Sequence, residues 1–219
     1  MLKDKRLNAL ISLTPNCETA ADIGTDHGIL GCELLERRIC RRVWFSDISL
    51  ASLAKARRLA QNKGLGERAD FFIGDGAKPL PASPDAAIIA GMGGQMICHI
   101  LGDGIEKLRS TTLILGANTN LYELRLWLSQ NAFKIEDEIA VCENRRYYVL
   151  MKAQSGCMNM SEDELHIGPV LIKKRDDESK AYFAHRSNCA KHALEQAFNS
   201  NEQIKQSLGK ELERWQKLN

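Results

Sequence analysis

The sequence predicts an α/β fold: a mostly parallel sheet flanked by helices, with a C-terminal helical hairpin. Three observations carry that expectation. Apolar segments of strand length alternate with amphipathic helical ones as far as Asn131. Two strand-like runs, Phe133 to Val141 and Arg146 to Lys152, then follow with no helix between them, as an antiparallel pair should. Two long helical stretches close the chain around a short polar turn.

The elements follow in order. Leu2 to Leu13 carries Leu7, Leu10, Ile11 and Leu13 among polar residues and predicts a short amphipathic helix before Pro15. Thr19 to Ile23 predicts a first strand that ends in a glycine-bearing turn; Ile29 to Arg38 then fits a helix and Val43 to Ser46 a second strand. From Leu50 to Asn62 a stripe of Leu and Ala marks a helix stopped by Gly64 and Gly66. Ala69 to Ile73 is a third strand. Ala86 to Ala90 is a continuous apolar run, as a central parallel strand requires. Met96 to Leu101 predicts a helix, Thr112 to Gly116 a fifth strand and Leu121 to Asn131 a further helix. A parallel sheet closed by one antiparallel strand is the Rossmann-like methyltransferase arrangement rather than the dinucleotide-binding one.

The polar Ser155-Gly156 step divides a catalytic domain, residues 1–154, from a helical domain, residues 155–219. In the latter, Asp176 to Asn199 and Glu202 to Leu218 predict two helices joined at Asn199-Ser200-Asn201. The second helix places Ile204, Leu208, Leu212 and Trp215 on one face. A hairpin of this kind is expected to lean on the main domain.

Composition sets outer bounds. The chain has 219 residues, 44% hydrophobic and 26% charged, with a net charge of +2. No run approaches the roughly 20 apolar residues of a membrane span, and the first residues run straight into charge, so a cytoplasmic location without membrane contact is expected. Seven scattered cysteines form no C-x-x-C pair, which predicts neither a disulfide framework nor a zinc site, and no metal is expected. Arginine doublets at 37–38, 41–42, 57–58 and 145–146 are candidate phosphate contacts if they share a face.

The chemistry concentrates at the carboxyl ends of the predicted strands, where open parallel sheets bind ligands. Strand one is followed by Asp22-Ile23-Gly24-Thr25-Asp26-His27-Gly28, and strand two ends at Ser46-Asp47-Ile48. Strand three is followed by Gly74-Asp75-Gly76 and strand four by Ala90-Gly91-Met92-Gly93-Gly94. The nicotinamide fingerprint G-x-G-x-x-G is broken by Asp26, whose carboxylate repels a pyrophosphate, and the Walker phosphate loop is absent. S-adenosylmethionine carries an ammonium and a sulfonium and no phosphate. Asp22 and Asp26 suit its cationic end, and Gly24 and Gly28 leave room for the backbone to approach. Asp47 lies about twenty residues on, where an acid accepts the ribose hydroxyls. Asp75, beside Gly76, can accept from the adenine amino group between apolar walls at Ile48 and Ala77. His27 and the run Ala90, Gly91, Met92 and Gly93 are further candidate cofactor contacts, and that run sits where many methyltransferases place the loop that holds the target nitrogen.

These motifs resemble the bacterial tRNA (adenine-N1)-methyltransferases called TrmK. The resemblance rests on Ala21-Asp22-Ile23-Gly24-Thr25-Asp26-His27, on Gly74-Asp75-Gly76 and on Ile89 to Gly94. Leu124-Arg125-x-Trp127-Leu128, the Glu143 to Tyr148 strand and Gly168-Pro169 also match. It implies an S-adenosylmethionine-dependent enzyme that methylates N1 of an adenosine at position 22, in the D-arm region of tRNA. It also implies a coiled-coil-like C-terminal domain that helps hold the tRNA, and His27, Asn118 and Gly91 around the target base. No obligate protein partner is evident, and a monomer is expected. The chain departs from the family pattern at Ile29, where an aromatic residue is usual, at Gly31, where proline is usual, and at Gly116-Ala117, where only Asn118 of Gln-Pro-Asn is kept. At the level of sequence two other readings stand beside this one: a methyltransferase of a small molecule or protein, and a catalytically silent protein that binds S-adenosylmethionine and RNA.

Overall fold

The computed structural model describes residues 4–197 and 201–218. Helix α1 (Lys5–Leu13) leads into β1 (Cys17–Ile23), α2 (Ile29–Glu36), β2 (Cys40–Asp47), α3 (Leu50–Asn62) and β3 (Ala69–Ile73). Strand β4 (Ala86–Met92), α4 (Gly94–Asp103), α5 (Ile105–Leu108), β5 (Thr112–Ala117) and α6 (Leu121–Gln130) complete the alternation. The long pair β6 (Phe133–Glu143) and β7 (Arg146–Ser155) precedes α7 (Glu162–Ile167), α8 (Pro169–Lys174), α9 (Asp177–Gln196) and α10 (Glu202–Gln216).

The seven strands form one sheet in the order β3-β2-β1-β4-β5-β7-β6. All neighbours are parallel except β7, which runs antiparallel to β5 and β6. This is the Rossmann-like methyltransferase topology, with the order reversing between β1 and β4. The crevice at that switch point opens beyond the strand ends where the aspartates and glycines gather.

Both faces of the sheet are covered, as a parallel sheet requires. On one face α1, α2 and α3 pack Leu10, Ile11, Leu34, Leu35 and Leu53 over Val43, Phe45 and Ile88. On the other, α4 and α6 pack Ile97, Leu101, Leu124 and Leu128 over Ile89, Leu115 and Met151. Tyr182 and Phe183 of α9 and Trp215 of α10 belong to this second core, so the C-terminal helices lean on the sheet.

A buried ion pair fastens them there. Arg125 of α6 and Glu138 of β6 both have fully buried side chains and meet at 2.9 Å. Arg125 also donates to the carbonyls of Leu165 (2.9 Å), His166 (3.2 Å) and Ile167 (3.2 Å) at the end of α7. Glu138 accepts from the Val170 and Leu171 amides in the first turn of α8. Gly168 threads between them, because a Cβ there would sit 2.6 Å from the Glu138 carboxylate.

The predicted elements are all present; β3 has the predicted bounds and the other strands are longer than local sequence suggested. Strand β2 starts at Cys40 rather than Val43, because exposed Arg41 and Arg42 sit on an edge-facing stretch that is polar but still paired with β1. Helices α5, α7 and α8, of four to six residues, were not predicted, since such lengths carry too little periodicity to read. The predicted joint at Asn199 and Ser200, and the predicted start of α1 at Leu2, lie outside the described residues. Asn201 is described, and its side chain caps α10 by accepting from the Ile204 amide at 2.9 Å.

Candidate active site

The turn after β1 is bent by positive φ at three alternate positions: Gly24 at 76°, Asp26 at 43° and Gly28 at 72°. The Gly24 amide donates to the Ser46 carbonyl at 2.7 Å, which draws the turn against the end of β2. Asp22 sits beneath it, only 6% exposed, accepting from the Thr25 hydroxyl at 2.8 Å and the Gly31 amide at 3.2 Å. That amide contact accounts for one departure from the family pattern, because proline at 31 has no N–H to donate. A side chain there also has no room, since a Cβ would lie 2.3 Å from Phe45.

Burial pushes the Asp22 carboxyl up to about 6 from 3.8, with the Thr25 and Gly31 donors pulling it down and Asp47 pushing it up. The sign of the linkage follows. Between pH 4 and 6 the folded protein keeps this proton while the unfolded chain has released it, so stability falls as pH rises through that window. At about 1.4 kcal/mol per unit the loss is roughly 3 kcal/mol. Urea denaturation should therefore show wild type losing about 3 kcal/mol relative to Asp22→Asn between pH 4 and pH 7. A pH-independent difference between the two proteins would reject the assignment.

Asp47 ends β2. One of its oxygens accepts from the Ser49 amide at 2.7 Å and the other lies 3.4 Å from the Asp26 amide. The Ser46 hydroxyl donates to the Gly76 carbonyl at 2.7 Å, and the Gly74 amide to the Asp47 carbonyl at 3.0 Å. These bonds hold the β3 turn beside β2. Together they enclose a cavity of about 320 Å³ lined by Asp47, Ile48, Asp75, Gly76, Met96 and Ile100, with Gly24 and Met92 on its inner side. Among the described residues no lysine or arginine lines it. Its apolar walls differ from expectation at one position: Ala77 is 1% exposed and packs in the core, and Met96 and Ile100 take the place assigned to it. Lys78 pairs with Asp75 at 3.3 Å and also with Asp103. Asp75, His99 and Asp103 bring possible ligand atoms within 4.8 Å of one another, but the Lys78 ammonium already bridges both carboxylates.

Gly24 and Met92 also line a second cavity, of about 380 Å³, with Asp22, Asp26, His27 and Ile29 and with Ala90 and Gly91. The two cavities meet at this shared wall, where a Cβ on Gly24 would lie 2.7 Å from the Met92 methyl group. His27 and Asp26 pair at 2.6 Å on the solvent side, and Lys55 approaches Asp26 at 3.6 Å. Helix α1 contributes Asp4, Arg6, Leu7 and Leu10 to this cavity, a contribution absent from the sequence reading. Its one local signal was the charged run at residues 3–6, which reads as an ordinary exposed helix start. The Arg6 guanidinium lies 5.1 Å from the centre of the Tyr148 ring.

Two of the candidate cofactor contacts stand back from these walls. Gly28 and Gly93 line neither cavity. Gly28 is needed for packing, because a Cβ there would come within 2.6 Å of Ala56 on α3. Gly93 caps α4 with an ordinary φ of −71°. The tight glycine is its neighbour Gly94, whose Cβ would meet the Asn120 carbonyl at 2.3 Å, so the β4 and β5 loops touch main chain to main chain. Across that seam the Asn118 side-chain amide donates to the Gly91 carbonyl at 2.8 Å.

Comparison with known proteins agrees with this geometry. A family model described as a methyltransferase domain matches residues 3–151. The tRNA (adenine(22)-N(1))-methyltransferase of Bacillus subtilis (strain 168) is 30% identical over 180 residues, covering 78% of this chain and 76% of that one. The structure of Streptococcus pneumoniae Sp1610 superposes with a TM-score of 0.92 at 25% identity, covering 99% of each chain. Its complex with S-adenosyl-L-methionine superposes with a TM-score of 0.89 over the same share of both chains. The chain therefore belongs to the tRNA (adenine(22)-N(1))-methyltransferase family of Rossmann-like methyltransferases.

Proposed function

We infer that this protein transfers a methyl group from S-adenosylmethionine to N1 of an adenosine at position 22 of tRNA. The observation that carries the reading is the pair of cavities joined at Gly24 and Met92, carboxylate-lined and free of basic side chains on the β2–β3 side. That donor set fits a cationic nucleoside cofactor and repels a nucleotide phosphate. Asp47 is placed to accept the ribose hydroxyls, and the Asp75 oxygen turned from Lys78 to accept the adenine amino group. Ile48, 75% exposed as the chain stands, gains an apolar partner when the adenine ring covers it. Asp22 and Asp26 face the ammonium end, and Arg6 supplies the guanidinium for the carboxylate beside it.

S-adenosylmethionine supplies an electrophilic methyl group carried on a sulfonium. Adenine N1 is unprotonated at neutral pH and brings its own lone pair, so the protein supplies alignment rather than a general base. The Asn118–Gly91 bond orients the Asn118 carbonyl oxygen as an acceptor for the exocyclic amine of the target base. The Gly91 carbonyl and the Asp26 carboxylate face the positive charge that the adenine acquires. His27, held by Asp26, borders the same opening. The helical region from residue 155 onward then serves to hold the tRNA body. Incubation with labelled S-adenosylmethionine and unmodified tRNA should yield 1-methyladenosine at that position by nucleoside mass spectrometry. Cofactor binding without that product would refute the assignment.

A further inference from the structure

A third cavity, of about 490 Å³, lies between the loop Ala117–Glu123 and the C-terminal helices. None of its lining residues lines either cofactor cavity. The Asn118–Gly91 bond stands between them, with Asn118 lining this cavity and Gly91 the methyl-side one. A group seated here is therefore next to the reacting base without being the reacting base.

The walls are rings. Tyr147 stacks on His185 with centroids 4.7 Å apart, and Tyr122 packs on His166 at 4.6 Å. Glu162 pins the second pair, accepting from the Tyr122 hydroxyl at 3.2 Å and bonding the His166 ring at 3.1 Å. Burial, with the nearby Arg214 charge, lowers the His166 imidazole from its ordinary value, against the opposing pull of Glu162. The charges argue against a phosphate inside. Arg186 is paired with Glu211 at 2.8 Å, and Glu123 adds a second carboxylate to the lining. A neutral planar ring with polar edges fits these walls better than an anion does.

The phosphate contacts lie just outside. Pairing of Ala117 with Val149 means that residues 143–148 project beyond the carboxyl end of β5, on the cofactor side of the sheet. Asn144 and Arg145 take positive φ, at 49° and 64°, and make the tight two-residue turn of this hairpin. Arg145 and Arg146 are exposed at its tip. Alternation along β7 turns Tyr147 to this cavity and Tyr148 to Arg6 at the methyl-side one.

We propose that this cavity is a nucleotide-binding site of the enzyme, in which Tyr147 and Tyr122 stack the base adjoining the methylated adenosine while Arg145 and Arg146 hold the RNA backbone. The proposal rests on the tRNA methyltransferase reading above. A target base taken out of its helix leaves its neighbour unstacked, and a second platform beside the catalytic loop restores that stacking.

The test uses the full chain and tRNA carrying 2-aminopurine, placed in turn on either side of the target adenosine. Wild type is expected to quench one of the two probes on binding, and Tyr147→Leu and Tyr122→Leu to abolish the quench. Each leucine variant should weaken tRNA binding about ten- to hundredfold, the range measured for losing one base–aromatic stack. S-adenosylhomocysteine affinity should stay at the wild-type value with the chain still folded by circular dichroism, and Tyr147→Phe should keep the quench. Arg145→Ala should lower the slope of log Kd against log salt by about one. If wild type methylates tRNA but quenches neither probe, or the leucine variants bind tRNA as wild type does, the site is overturned and the activity stands. If wild type makes no 1-methyladenosine, the activity itself fails.

Discussion

Asp47→Ala is expected to weaken S-adenosylmethionine binding by two to three orders of magnitude while leaving the protein folded. Asp47 offers a carboxylate at the end of β2, and hydrogen bonds to a charged acceptor contribute about 1.5–3 kcal/mol each. With each near the lower end of that range, two ribose hydroxyls together account for about 3–4 kcal/mol, or roughly two to three powers of ten. The same carboxylate accepts from the Ser49 amide and lies near the Asp26 amide, so its loss also loosens the bend that carries Asp26. Ser49 still caps α3 through its own side chain, which accepts from Ser52, so the helix itself should persist. Calorimetric titration with S-adenosylhomocysteine, beside a thermal melt, separates the two effects. An unchanged Kd would remove Asp47 from the cofactor site. Asp47→Asn should fall between, since it keeps one acceptor oxygen and exchanges the other for a donor that meets the ribose hydroxyls poorly.

The largest effect on stability is expected at Arg125. Removing one member of a fully buried ion pair leaves the other charged and unpaired, at about 3–5 kcal/mol. Arg125→Leu strands the Glu138 carboxylate and also orphans three carbonyls at the end of α7. Glu138→Leu strands the guanidinium and frees the first amides of α8. Each single variant should lose that amount in urea denaturation. The double variant should lose clearly less than the sum, because no buried charge is left alone. Strict additivity would show that the pair does not act as a unit. Since α7 supplies His166 to the ring-lined cavity and α9 supplies His185, tRNA binding should fall in the single variants before cofactor binding does.

Much of the candidate cofactor crevice was legible in local sequence, and the reason is geometric. In a parallel sheet every strand end points the same way, so four Asp- and Gly-bearing turns after four apolar runs must converge on one edge. Asp22, Asp47 and Asp75 line the two cavities on that edge together with Gly24 and Met92. The antiparallel β6–β7 pair was readable for a similar reason: two strand-length runs with no room for a crossover helix can only form a hairpin.

Other features had no local signature. Nothing near Gly28 or Gly93 in the sequence shows that a Cβ at the first would meet Ala56 of α3, or that the second caps α4. Arg6 reads as part of a charged helix start, and its place at the methyl-side cavity depends on α1 crossing over Tyr148, far away in the chain. Arg125 and Glu138 are an ordinary exposed-type pair on paper, thirteen residues apart. They become the clasp for the C-terminal helices once α7 and α8 fold over them and both are buried. Periodicity and turn chemistry act over a few residues and so suffice for elements and for the order of strand ends. Which side chains share a wall depends on crossovers and sheet register, which bring together residues more than a hundred positions apart, and that was settled only by the folded chain.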